Sequence, residues 1–112
     1  MEAQSTVANT VRSLDEGDIT TVVGEEGVGL VEFYTEWCGS CTQMEPVLED
    51  LAQETDATVV TVDIETNLET AIEFGAQSTP TFVLFVSGSP VKRLRGSQSK
   101  ESLKDLIEQY TA

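Results

Sequence analysis

The chain has no histidine, only two cysteines, and six basic residues against twenty acidic ones over 112 positions. Each shortage removes a class of function. Without histidine there is no histidine-based catalytic triad, no histidine metal ligand and no ordinary proton shuttle near neutral pH. Two cysteines are too few for a disulfide framework or a cysteine-only zinc site, and no metal is expected. A net charge of −14 works against binding phosphates, so no nucleic-acid partner is expected. No apolar stretch approaches the roughly 18 residues that suit a membrane span, and no membrane association is expected. The opening residues, Met1 to Arg12, are polar and small, without the basic start and apolar run of a signal peptide. A cytoplasmic setting is the expectation.

What is there has the length of one domain. With 39% hydrophobic and 23% charged residues, it can remove roughly two-thirds of its unfolded surface from water. Residues 1–9 read as a flexible N-terminal arm and 10–112 as a single domain. The charge is uneven: positions 1–75 hold one base, Arg12, whereas Lys92, Arg93 and Arg95 fall within one short run near the end. The acidic excess reads either as a solvated surface that favours solubility or as adaptation to very high salt. In molar salt the screening length falls to about 3 Å and self-repulsion fades. Only three of the bases are lysine, which fits the second reading.

Hydrophobic spacing orders the chain as β-α-β-α-β-α-β-β-α. Thr10–Leu14 reads as a short strand, Asp18–Val23 as a short helix with an acidic cap, and Leu30–Tyr34 as a strand. Met44, Val47, Leu48, Leu51 and Ala52 make the stripe of a core-facing helix, which Pro46 should kink. Thr58–Val62 is a β-branched strand, Leu68–Phe74 a short helix closed at Gly75, and Thr81–Val86 a buried strand. Ser87–Ser89 turns into Pro90–Arg95, and Leu103, Leu106, Ile107 and Tyr110 mark a last helix. The expected architecture is α/β: a mixed sheet, parallel where helices cross over and antiparallel at the hairpin, with helices on both faces.

The chemistry concentrates in Trp37-Cys38-Gly39-Ser40-Cys41, between a strand and a helix. Cysteines at i and i+3 across a helix start can bring their sulfurs together. Such a small loop restrains the unfolded chain little, so it is a poor structural staple. The helix start does favour a thiolate on Cys38, leaving Cys41 as the more buried, resolving thiol. The plainer alternatives are half a zinc site completed by a second chain, or two small core residues. Glu32 interrupts the apolar run Val31–Phe33. Buried beneath the cysteines, its carboxyl would have a raised pKa and could take the resolving thiol's proton. Trp37 is either a core aromatic or a flat floor for a docking partner. Thr79-Pro80-Thr81 opens a buried strand either as a turn device or, with a cis bond, as an extended edge where a substrate peptide could pair.

On these residues the chain resembles the thioredoxin family. The match runs from about Thr10 to Tyr110. It includes Val31-Glu32-Phe33, Glu36-Trp37-Cys38-Gly39-Ser40-Cys41, Pro46, Thr79-Pro80-Thr81, Gly88 and Gly96 in order and at family spacing. The resemblance implies the thioredoxin fold, a central mixed five-stranded sheet flanked by four helices. It implies reduction of protein disulfides through a reversible Cys38–Cys41 pair, with no other cofactor and a thioredoxin reductase as electron donor. A disulfide oxidase or isomerase of the same fold, or a redox-dependent binding module, are the alternatives. A monomer is implied, with Trp37, Gly39, Ser40, Thr79, Pro80, Arg95 and Gly96 meeting the substrate. Four positions depart from the family pattern. Ser40 replaces a proline between the cysteines, which implies a less reducing pair. Glu32 replaces the buried aspartate. Thr61 stands where a lysine usually partners that acid, and Arg95 stands where an aliphatic residue precedes the late glycine. Arg95, with Arg93, is expected to steer acidic partners to an otherwise repulsive molecule.

Overall fold

The computed structural model describes residues 10–14 and 18–111, so the arm expected over residues 1–9 lies outside the described residues. Among those described, the elements are β1 (Arg12–Leu14), α1 (Ile19–Val23), β2 (Val28–Tyr34), α2 (Gly39–Glu54), β3 (Thr58–Asp63), α3 (Leu68–Glu73), β4 (Thr81–Val86), β5 (Ser89–Arg95) and α4 (Lys100–Thr111). The order is the one the spacing predicts, with ends displaced by a residue or two. Local chemistry explains the ends. Asp18 caps α1 by accepting the Thr20 N–H at 3.2 Å, and Thr55 closes α2 through its own N–H and hydroxyl, both donated to the Leu51 carbonyl. The helix α2 passes through Pro46 without ending.

The strands form one sheet in the order β1-β3-β2-β4-β5. Strands β1, β3 and β2 are parallel; β4 runs antiparallel to β2, and β5 antiparallel to β4. One expectation fails here, because the chain crosses over through a helix, α3, and still enters β4 in the reverse direction. Helix length is not the reason, since the shorter α1 joins β1 to β2 and both are parallel to β3. Strand β4 starts at the end where β3 stops, with Thr81 opposite Phe33, and from that end it can pair with β2 only in the antiparallel sense.

Alternation along β2 assigns its side chains to two faces. Val31 and Phe33 enter a core with Val60, Val62, Val83 and Phe85, covered by α1 and α3. Val28 and Leu30 enter a second core with Val59, Phe82 and Leu84, covered by Met44, Leu48 and Leu51 of α2 and by Leu103 and Ile107 of α4. The last position of the α4 stripe differs from expectation: Tyr110, on the final turn, is exposed. Glu32 falls on the α2/α4 face by the same alternation. Across the sheet it has Thr61 on one side and Phe82 on the other.

Candidate active site

Both cysteines lie where β2 hands over to α2. Cys38 is the N-cap, in an extended conformation, and its Sγ accepts the N–H of Cys41 at 3.1 Å. The first amides of a helix have no intrahelical acceptor, and that of Cys41 points at this sulfur. That field favours the thiolate when the pair is reduced. The two residues are joined by a disulfide with Cα atoms 5.3 Å apart. Cys38 is half-buried and Cys41 is buried, so one sulfur meets solvent and the other is shielded. Gly39 and Ser40 are exposed, and Ser40 Oγ makes a long contact of 3.9 Å to Cys38 Sγ. Trp37 is 84% exposed, which rules out the core-aromatic reading.

Glu32 is 2% exposed, and its Oε2 has no hydrogen-bond partner among the described residues. Both Glu32 and Cys41 line a cavity of about 460 Å³ under α2, together with Tyr34, Glu36, Glu45 and Thr61. Burial, and secondarily the charge of Glu45, push the Glu32 carboxyl up to about 7 from its ordinary value of 4.5. Among the described residues no cation lines this cavity; Thr61, directly opposite Glu32, bonds instead to the Arg12 carbonyl. A carboxyl in this state can take and return a proton at neutral pH. Spacing points to Glu32 but passes over Glu45, which stands one turn beyond Cys41 in α2. That i+4 step is the signal available for it.

The Thr79–Pro80 bond is cis. Pro80 is buried and Thr79 partly so, and the Thr81 hydroxyl donates to the Ser78 carbonyl to hold the turn. Gly96, at φ +85°, donates its N–H to the Pro80 carbonyl at 2.8 Å. Arg95 is exposed and sits opposite Thr81. The register thus brings Thr79, Pro80, Arg95 and Gly96 to the sheet end from which β2 runs on to Cys38. Arg93 lies farther down β5, opposite Val83. Among the described residues no three of His, Cys, Asp and Glu converge as a metal site, and no helix is long and apolar enough to cross a membrane.

The family model described as Thioredoxin matches residues 10–109. A thioredoxin of Mycobacterium tuberculosis is 43% identical over 96 residues, 84% of this chain and 83% of that protein. A solved point mutant of a thioredoxin from Halobacterium salinarum is 38% identical and superposes with a TM-score of 0.90 over 94% of each chain. A thioredoxin f2, solved in complex with ferredoxin:thioredoxin reductase, is 25% identical with a TM-score of 0.80, covering 91% of this chain and 96% of that one.

Proposed function

The chain belongs to the thioredoxin family of protein-disulfide reductases, and on that premise we propose the roles of its residues: Cys38 attacks, Cys41 resolves, and Glu32 takes the resolving proton. The Cys38 thiolate attacks one sulfur of a substrate disulfide, forming a mixed disulfide and expelling the other substrate sulfur as a thiolate. Cys41 then gives its proton to Glu32 and attacks Cys38 Sγ. The mixed disulfide breaks, the second substrate sulfur leaves, and the Cys38–Cys41 disulfide remains. Two electrons have passed to the substrate. The redox group is the sulfur pair itself. Trp37, Gly39, Ser40, Thr79, Pro80 and Gly96 form the surface on which the substrate lies.

The observation that carries this reading is the unequal placement of the sulfurs, one capping a helix at the surface and one buried beside a carboxyl. Thioredoxins are themselves a standard example of a cysteine pKa lowered in this way. Changing Cys41 to Ser removes the resolving step, so the variant should accumulate as a mixed disulfide with a peptide disulfide, visible by mass spectrometry. Binding without a covalent adduct would refute the assignment. The direction of transfer is read by equilibrating the pair against graded dithiothreitol. A potential below that of the cytosolic thiol pool supports the reductase, and one well above it makes the chain an oxidant or isomerase.

Re-reduction needs an outside source of two electrons. A thioredoxin reductase is the donor we assign, supported by the reductase-bound neighbour. Both sulfurs and Glu32 come from one chain, which suits action as a monomer. A pair that must return to the dithiol suits the reducing cytoplasm. The net charge of −14 and the similarity to a Halobacterium protein support work at high salt. Unfolding midpoints should then rise between dilute buffer and multi-molar KCl, and an unchanged midpoint would refute that setting.

A further inference from the structure

We propose that Arg95 is a specificity residue. The disulfides this chain reduces best carry an Asp or Glu beside the reacting cysteine, on the side of the substrate that lies over Pro80. The inference rests on the reductase reading above and deepens it by naming the substrate class.

Two of the lysines are engaged in ion pairs. Lys100 lies 3.0 Å from Glu54 and 3.5 Å from Asp50, and Lys104 lies 3.2 Å from Glu54. These pairs staple α4 to α2. Lys92, Arg93 and Arg95 have no carboxylate within ion-pair distance among the described residues, although acids outnumber bases more than threefold. All three stand on β5, an edge strand. Charges on an edge strand also discourage pairing with other chains, and that accounts for Lys92. Arg93 is occupied differently: its guanidinium covers Gly75 so closely that a Cβ there would fall 2.5 Å from Nη1.

Arg95 does not touch Gly75, and edge protection, which any charge on β5 would supply, does not account for its place at the end of the strand. It is the last residue of β5, held opposite Thr81 on one side and followed by Gly96, whose N–H is bonded to Pro80. Its row across the sheet runs through Thr81 to Phe33, at the end where β2 leads on to Trp37 and Cys38. The backbone of an exposed arginine is thereby held at the end of the sheet nearest the cysteines. An arginine presents a planar fork that matches a carboxylate with two hydrogen bonds. Glu36, beside the exposed Trp37, gives the rim the opposite sign, so a carboxylate is welcome on one flank of the substrate only.

Magnitudes separate contact from steering. At about 0.1 M salt charges act over about 10 Å, and a chain of net charge −14 repels an acidic peptide at that range. In molar KCl the range falls to about 3 Å, leaving contact pairs. The selection is therefore by contact, and it is best measured at molar salt.

The test uses three peptide disulfides identical except beside the cysteine: Glu before it, Glu after it, or Gln at both places, with dithiothreitol as electron source in 1 M KCl. One of the two Glu peptides should exceed the Gln peptide in kcat/KM by about 1.5-fold to fivefold, the range of an exposed ion pair. Arg95→Gln should abolish that ratio and Arg95→Lys keep part of it. Lys92→Gln removes the same charge from the other face of β5 and should leave both the ratio and the turnover as they were. Because each readout is a ratio within one variant, a reduced folded fraction cancels. Equal turnover of the three peptides, an advantage that survives Arg95→Gln, or one that Lys92→Gln removes as well, overturns the selectivity. Absence of turnover of all three by the unmodified chain overturns the reductase reading beneath it.

Discussion

The two faces of the sheet share the same strands and do opposite work. On the α1/α3 side Val31, Phe33, Val60 and Val62 are fully buried. Phe74 closes that core, its ring 6.4 Å from Phe33 and 5.3 Å from Phe85. On the α2/α4 side, one step along β2 from Phe33, stands a carboxyl with an unpartnered oxygen, lining a cavity with a half-cystine. The first face is closed packing. The second gives up part of its stability to hold a group that titrates near 7 beside Cys41. One strand serves both because its period of two separates them completely.

The contrast between the two faces is largest at Phe33. Phe33→Ala should lose about 3–5 kcal/mol, a large share of the roughly 5–15 kcal/mol typical of a domain. Its effect on the reduction potential should be small, because it faces away from the sulfurs. Urea unfolding and redox equilibration measure the two quantities separately; a potential that moved strongly would show that the faces are not independent.

Glu32 should behave in the opposite way. The folded chain keeps this proton up to about pH 7, while the unfolded chain releases it near the ordinary 4.5. Between those values the folded state binds more protons, so stability falls as pH rises, by about 3 kcal/mol in all. Glu32→Gln removes the charge. It should gain up to about 3 kcal/mol over the unmodified chain at pH 8 and nothing at pH 4. The same change should slow resolution of the mixed disulfide by about 10²-fold near neutral pH, with the deficit shrinking as Cys41 ionises unaided at high pH. A variant more stable at both pH values would point to packing rather than charge.

Much of this is open to reading from the chain alone, for reasons particular residues make plain. Period-two and period-3.6 spacing identifies the strands and helices because each has one buried side. Alternation alone would let a glutamate between Val31 and Phe33 face water; it is buried because helices cover the sheet on both faces, as the βαβ order implies. The register then sets Thr61 opposite it, where the family places a lysine. Other features depend on distances in space. The reversal of β4 follows from which end of the sheet the chain re-enters after α3, which spacing does not encode. The exposure of Trp37 follows from β2 having ended at Tyr34, past which alternation assigns no face. Glu45 escapes notice because it is exposed and lies off the apolar stripe, although its i+4 relation to Cys41 is in plain view.

Glu45 supplies the finest adjustment to the contrast between the faces. Its carboxylate is the secondary cause of the raised Glu32 pKa, burial being the larger. Glu45→Gln should therefore lower the Glu32 pKa by less than about one unit, worth less than about 1.4 kcal/mol, and leave it well above 4.5. The carboxyl resonances of Glu32 followed by NMR through pH 4–9 would measure this directly. The stability gain at pH 8 should be correspondingly smaller than that of Glu32→Gln. It should also fade in molar KCl, because the cavity mouth is wet and the Glu45 charge is screened there. A Glu32 pKa that fell all the way to its ordinary value would reverse the order of causes. It would make the charge on α2, rather than burial beneath it, what holds the proton at the resolving cysteine.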